Sequence, residues 1–385
     1  MDLPKTADMV IVGGGVMGAS TAYHLAKRGA RDVLLLERQP FFGMEATGKC
    51  AGGIRHQFGT EVNIRLSLLS ISKLDRFEEE LDQPIDLRYC GYLFLLTNEE
   101  DVAVFRENVA LQHQLGVATE WLSRDDIAEL ARLIDLEGVL AGTFYDRDGL
   151  ADPNSVVQGY ASGARREGAT LRNEVEVSGI RVAGGRIAEV VTDQGTVSTP
   201  VVVNAAGPWA GEVGQMAGVE VPVEPVRRQI VVTGPLPAVP PDFPFVIDFA
   251  QSLYFHREGE GILTGMSNHD QPVGFDQSID QDWEIVHLGA AMERMPVLER
   301  AGLASHWAGL YEVSPDAHPI LGRVPEVDGF FCICGFSGHG FMHGPGCGQL
   351  LAEEILDGAA HTVDISSLYI DRFQVGEEIV EYHVI

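Results

Sequence analysis

Gly13, Gly15 and Gly18 stand at Gly-x-Gly-x-x-Gly spacing where the apolar run Val10 to Val12 gives way to a helical stretch, Ala19 to Arg28. A second strand-like segment, Asp32 to Leu36, ends on Glu37. Strand, glycine turn, helix and a second strand closing on an acid make a dinucleotide-binding fingerprint. Its chemistry is non-covalent. Gly13 permits the tight turn, Gly15 lets a pyrophosphate approach the backbone, and Gly18 allows close helix–strand packing. The helix start, at Val16 and Met17, offers unpaired N–H groups and a positive dipole end to phosphates. Glu37, followed by Arg38, can accept hydrogen bonds from an adenosine ribose, and its charge argues against a 2′-phosphate. This motif alone does not separate FAD from NAD.

The elements that must hold these residues follow from pattern. Asn63 to Leu81 reads as one amphipathic helix, with Ile64, Leu68, Ile71, Leu74 and Phe77 at spacings of three to four. Tyr92 to Leu96 reads as a strand, and Asn98 caps a helix running to Leu115. Asp152-Pro153-Asn154 opens another helix, to about Arg166. Strands at Glu174 to Arg181 and Arg186 to Thr192 flank a hairpin turn, Ala183-Gly184-Gly185. Val201 to Asn204 is a buried-strand pattern, Pro222 to Pro244 mixes strands and loops, and Asp280 to Met295 is helical. The opening theme returns at the end, as strand Phe330 to Cys334, a glycine-rich loop, and a helix from about Pro345 to Leu356. The dinucleotide domain therefore spans residues 1–85, 145–220 and 310–385, discontinuously. Residues 86–144 and 221–309 make a second domain, with the ligand between the two.

The chain has 385 residues, 45% of them hydrophobic, which is ample for two domains. A formal net charge of −29 excludes a nucleic-acid partner, which needs clustered Lys and Arg, and disfavours anionic lipid. No signal peptide and no bilayer-spanning run is expected. Five cysteines, odd in number and scattered, suit a reducing cytoplasm and no disulfide framework. Alternation puts Cys332 and Cys334 on one face of a strand, as packing residues, and no metal site is expected.

Four segments in order, Val10 to Gly18, Thr47 to Gly59 (TGKCAGGIRHQFG), Val203 to Trp209 (VNAAGPW) and Tyr311 to Met342 (YEVSPDAHPILGR, then GFSGHGFM), give the chain a family likeness. It resembles the D-amino-acid oxidase-like FAD oxidoreductases, in particular their sarcosine oxidase and dimethylglycine dehydrogenase branch. The resemblance implies an α/β (α+β) fold, with a glutathione reductase-like FAD-binding Rossmann domain and a second domain built on a mainly antiparallel sheet. It also implies FAD contacts at Gly48, Lys49, Cys50, Ala51, Gly52 and Gly53, at Val175, at Ala206, Gly207 and Trp209, and at Gly338, His339, Gly340, Phe341 and Met342. The loop Gly335 to Gly340, just ahead of a helix N-terminus, would bring N–H groups to the flavin edge that gains negative charge on reduction.

Departures from the family pattern narrow the chemistry. Where relatives attach flavin through a cysteine ahead of Tyr-x-x-x-Pro-Asp, this chain has Gly309, two residues before Tyr311. Where others use a histidine in the Thr47 to Gly53 loop, it has Lys49 and Cys50. Dissociable FAD is expected, and Pro153 at the corresponding FMN-anchoring position predicts no covalent FMN. The lysine with which the oxidases activate O₂ aligns with Leu263, which predicts dehydrogenase behaviour. Of the arginine and lysine that clamp a substrate carboxylate, Arg55 matches the first and Met342 replaces the second. Met342 is also similar to the β subunits of heteromeric proline and opine-type dehydrogenases, in which a partner subunit takes electrons onward.

Arg55 is thus expected to bind the substrate carboxylate. His56, Tyr311 and His343 are candidates to line the substrate pocket, each with a plain packing or hydrogen-bonding role as the alternative. The expected function is FAD-dependent oxidation of a secondary or tertiary amino acid (sarcosine, dimethylglycine, proline or opine type), giving an imine. The alternatives are a 2-hydroxy-acid dehydrogenase, with His56 or His343 as base, a flavin subunit inactive without a partner chain, and an NAD-dependent enzyme.

Overall fold

The computed structural model describes residues 3–384. Among them a six-stranded sheet runs in the order Ile320–Arg323, Phe330–Cys334, Val202–Asn204, Met9–Val12, Val33–Leu36, Thr170–Arg172. All its pairings are parallel except the first. A parallel sheet must be covered on both sides, and period-two alternation sorts the side chains accordingly. Ile11, Val33, Leu35 and Ile333 pack with the helices Val16–Lys27, Pro153–Arg166 and Gly340–Asp357. Val10, Val12, Leu34, Leu36, Cys332 and Cys334 pack with Ile180, Val190 and Val197 of a three-stranded antiparallel sheet. Both thiols of Cys332 and Cys334 are free and buried on that one face.

The second large sheet has eight strands, in the order Leu303–Val313, Glu224–Thr233, Gly261–Met266, Leu253–Glu258, Phe245–Asp248, Tyr92–Leu96, Ala141–Tyr145, Glu120–Leu122. Only the pairing of Phe245–Asp248 with Tyr92–Leu96 is parallel. One face packs on the helix Gln281–Arg294 through Phe255, Ile262 and Ala291. The other carries Tyr92, Ile230, Phe245, Tyr254 and Leu263. No helix among the described residues is long and apolar enough to cross a membrane.

Local signals act as expected at the caps. The side chains of Asn98, Asp152 and Asp280 each accept the N–H three residues on. Gly184 and Gly185, at φ 63° and 78°, make the hairpin turn. Two expectations need correction. The helix read as Asn63 to Leu81 is two, Glu61–Leu74 and Phe77–Leu81; the break lets Phe77 turn in edge-on to Tyr160, with ring centroids 5.0 Å apart. The last helix starts at Gly340 rather than Pro345 and carries the proline inside it. Tertiary packing offsets the cost of that proline. Gly344, Gly346 and Gly348 bring the helix backbone against Val16, Ser70 and Ser20, and the N–H of Gly346 donates to Ser70 Oγ (2.9 Å).

Candidate active site

Two connected cavities lie at the ends of these strands. The first, with about 1280 Å³ of atom-free space, runs along the opening turn. Its wall holds Gly13, Gly15, Val16, Met17, Glu37, Arg38, Val175, Ala206, Gly207, Trp209 and Gly340. The second, about 810 Å³, lies beneath the eight-stranded sheet; Lys49, Ala51, Gly52, Gly53, Arg55, His339 and Met342 are on its wall. Cys50, Tyr311, Gly338 and Phe341 border both and mark the junction.

The donors of the first cavity suit a dinucleotide. Gly13 sits at φ 110°, where an L side chain is strained, and a Cβ there would overlap the Ala205 carbonyl. The helix Val16–Lys27 has no side-chain cap from Gly15 and no acid in its first turn; the Val16 N–H reaches Thr47 Oγ1 at 3.2 Å. An anion therefore meets N–H groups and a positive dipole end. Glu37 accepts from the N–H groups of Gly14 (2.7 Å) and Gln39 (2.8 Å); burial nonetheless raises its carboxyl above the ordinary value. Across the cavity the Arg38 guanidinium stacks 3.9 Å over the Trp209 ring. The arrangement fits FAD, which Glu37, the opening turn and the start of the helix Val16–Lys27 would help to hold.

Gly18 and Gly48 are on neither wall. Each packs against backbone of the same motif, Gly18 on the Gly13 carbonyl and Gly48 on the Gly43 carbonyl, so their work is to shape the turn. In the glycine loop, the N–H groups of Gly335, Ser337 and His339 are already used, by Glu312 Oε2, the Glu312 carbonyl and the Phe336 carbonyl. The helix Gly340–Asp357 that follows has no side-chain cap and no acid in its first turn, leaving its start open to negative charge.

The sequence-predicted substrate residues divide. Arg55 is on the second cavity's wall, but its guanidinium donates to the carbonyls of Gln57 and His383 and stacks 3.7 Å over Phe58. His56 lies behind the wall, where its N–H and Nδ1 both contact Asp148 Oδ1 at 2.7 Å. His343 is also behind it, between Ser67 Oγ (2.9 Å) and His339 Nδ1 (3.1 Å). Burial lowers the pKa of His343 well below the ordinary value and that of His339 to about 3, so both are neutral. Burial also raises the thiol of Cys50, to about 12, which leaves no thiolate there at neutral pH.

Several wall residues escaped the sequence reading. Glu312 borders the first cavity, and Arg228, Tyr254 and Val384 the second. Burial keeps the hydroxyls of Tyr254 and Tyr311 protonated, as donors. The second wall holds three cations, Lys49, Arg55 and Arg228, and no carboxylate among the described residues. A signal for Arg228 existed, since adjacent Arg227 and Arg228 on a strand must face opposite sides.

Comparison with known proteins gives a consistent likeness. The family profile described as FAD dependent oxidoreductase matches residues 8–354. Human mitochondrial sarcosine dehydrogenase is 33% identical over 387 residues, covering 96% of this chain and 42% of that protein. Rat mitochondrial dimethylglycine dehydrogenase is 33% identical over 372 residues, covering 91% of this chain and 43% of that protein. The chain thus spans less than half the length of these curated relatives. The L-proline dehydrogenase of P. horikoshii superposes with a TM-score of 0.91 at 32% identity, covering 98% of this chain and all of that one.

Proposed function

From the premise that this chain belongs to the FAD dependent oxidoreductase family, we propose that it oxidises a secondary or tertiary amino acid of the sarcosine, dimethylglycine, proline or opine type. The observation that carries the reading is the second cavity, which shares Cys50, Tyr311, Gly338 and Phe341 with the dinucleotide cavity, has Lys49, Arg55 and Arg228 on its wall and is free of carboxylates among the described residues. Such a wall attracts a carboxylate. It also disfavours an ammonium, so the substrate amine binds in its neutral, oxidisable form. FAD held along the first cavity would supply the hydride acceptor for the C–H beside that nitrogen. The product is an imine, which water hydrolyses or which persists when cyclic.

This chain's residues orient and exclude. Tyr311 and Gly338 hold the junction, Tyr254 and Tyr311 offer neutral hydroxyls, and Phe245, Ile230 and Met342 keep the cavity apolar around the reacting bond. Arg55 adds positive charge to the wall from within its own hydrogen bonds. A hydroxy acid would need a proton acceptor; His56 and His343 are off the wall and His339 is a very weak base, which disfavours that reading.

Three finer points belong to the proposal. FAD is held noncovalently, as Gly309 and the un-ionised Cys50 suggest. Electrons pass to a partner subunit or carrier in the cytoplasm rather than to oxygen, because apolar Leu263 stands where an oxygen-activating cation is expected. Residues 1–85, 145–220 and 310–385 form the FAD domain and the remainder the substrate domain, a division that the two large sheets support. The test is the visible spectrum of the purified yellow protein, followed anaerobically as sarcosine, dimethylglycine, proline and an opine are added. Bleaching by one of them is the expected result; a yellow protein bleached by none would overturn the reading.

A further inference from the structure

We propose that Arg228, rather than Arg55, receives the substrate carboxylate. The inference rests on the second cavity being the amine site, and it deepens that reading by choosing among the cavity's cations. Lys49 is already neutralised, its Nζ bonded to Glu45 Oε2 (2.9 Å) and to Gln277 Oε1. Two arms of Arg55 are spent on the Gln57 and His383 carbonyls, and its plane lies on Phe58. Glu381, buried nearby, offsets its charge.

Arg228 has no such counter-charge among the described residues and only one arm on a carbonyl. Its Nη1 donates to the main-chain carbonyl of Arg227 (3.0 Å), its Nε is buried with no hydrogen-bond partner, and it makes no ion pair with any described residue. Its guanidinium stands 5.0 Å from the Tyr311 ring centroid, at the junction with the cofactor cavity. Arg227, one residue earlier, shows what the same side chain does when its partners are internal. It faces away and pairs with Asp276 (3.0 Å) and Asp280 (3.1 Å).

A guanidinium does not shed its proton at neutral pH, so a half-buried one with its Nε enclosed and no counter-charge penalises the empty site. A carboxylate relieves that penalty through its two oxygens, which match the planar fork. The neighbours of Arg228 on the wall, Ile230, Phe245 and Tyr254, exclude competing water and raise the strength of the pair. Met342 on the same wall offers no donor, so the side of the ligand that meets it is apolar. The substrate class is an amino acid whose carboxylate pairs with Arg228.

The experiment uses the full, FAD-loaded chain and reads binding rather than turnover. Acetate and its uncharged analogue acetamide are titrated against the visible flavin spectrum of wild type, Arg228→Met and Arg228→Lys. Arg228→Met should weaken acetate by at least about tenfold, the loss of one charge-assisted pair, and leave acetamide unchanged. Arg228→Lys should recover part of the loss. Equal acetate affinity in wild type and Arg228→Met would overturn the proposal, as would no acetate binding by wild type. Should Arg228→Met fail to fold, a wild-type affinity for acetate in Arg228→Gln overturns it equally. Acetate binding that depends on Arg228, in a protein that no amine bleaches, would sink the amine reading and leave this one standing.

Discussion

Gly18 packs directly against Gly13, so that a Cβ at position 18 would overlap the Gly13 carbonyl oxygen and press on Leu35. The two glycines of the opening turn thus fix each other. Gly18 never touches the cofactor cavity, yet it sets where the N–H groups of Val16 and Met17 stand.

Gly18→Ala should therefore lose flavin before it loses fold. Overpacking of this kind costs about 1–3 kcal/mol, and the backbone shift that relieves it displaces the phosphate turn. The measurement is visible absorbance per protein after purification and desalting. Flavin content equal to wild type would contradict the prediction.

Flavin should leave the protein entirely on denaturation. Gly309 offers no side chain for a bond, and the Cys50 thiol is held un-ionised at about 12 by burial. Acid precipitation should give a colourless pellet and a yellow supernatant. Colour retained in the pellet would show a covalent link.

Oxygen should be a poor acceptor. Leu263, which aligns with the oxygen-activating lysine of the oxidases, is buried among Tyr92, Ile230, Phe245 and Tyr254 and offers superoxide no charge of its own. Peroxide formation should run at least about tenfold slower than reduction of an artificial acceptor, a gap equal to only about 1.4 kcal/mol of barrier. Matching rates would refute it.

Glu312 should make stability fall as pH rises through the weakly acidic range. Burial pushes its carboxyl up to about 7, outweighing the N–H groups of Gly335 and Phe336 that it accepts. In the unfolded chain the same group ionises near 4.5. Between those values the folded protein holds a proton that the unfolded chain has released. Its contribution is therefore intact below the lower value and lost progressively up to the higher one. The loss is at most about 3 kcal/mol, less where cavity water reaches the carboxylate. Urea unfolding of flavin-free wild type and Glu312→Gln across pH 5 to 7 should show the flatter profile in the variant. Parallel profiles would disprove the assignment.

Much of this protein is local in origin and so was readable along the chain. The opening turn depends on which residues lack a Cβ within a few positions. The caps at Asn98, Asp152 and Asp280 each act over three residues, and the Gly184-Gly185 hairpin needs only two positive φ angles. The family likeness, carried by four short segments in order, gave the cofactor and the reaction class. Nothing local, however, distinguishes Arg227 from Arg228, or tells that Arg55 is occupied. Arg227 meets carboxylates about fifty residues further on, and Arg55 is tied to a carbonyl 328 residues away. The helix from Gly340 likewise runs through Pro345 only because Val16, Ser20 and Ser70 accept its glycines closely. Backbone conformation is set by neighbours in sequence. Which cation remains without a counter-charge, and so binds, is set by neighbours in space, because pairing and desolvation depend on what the tertiary fold brings within a few ångströms.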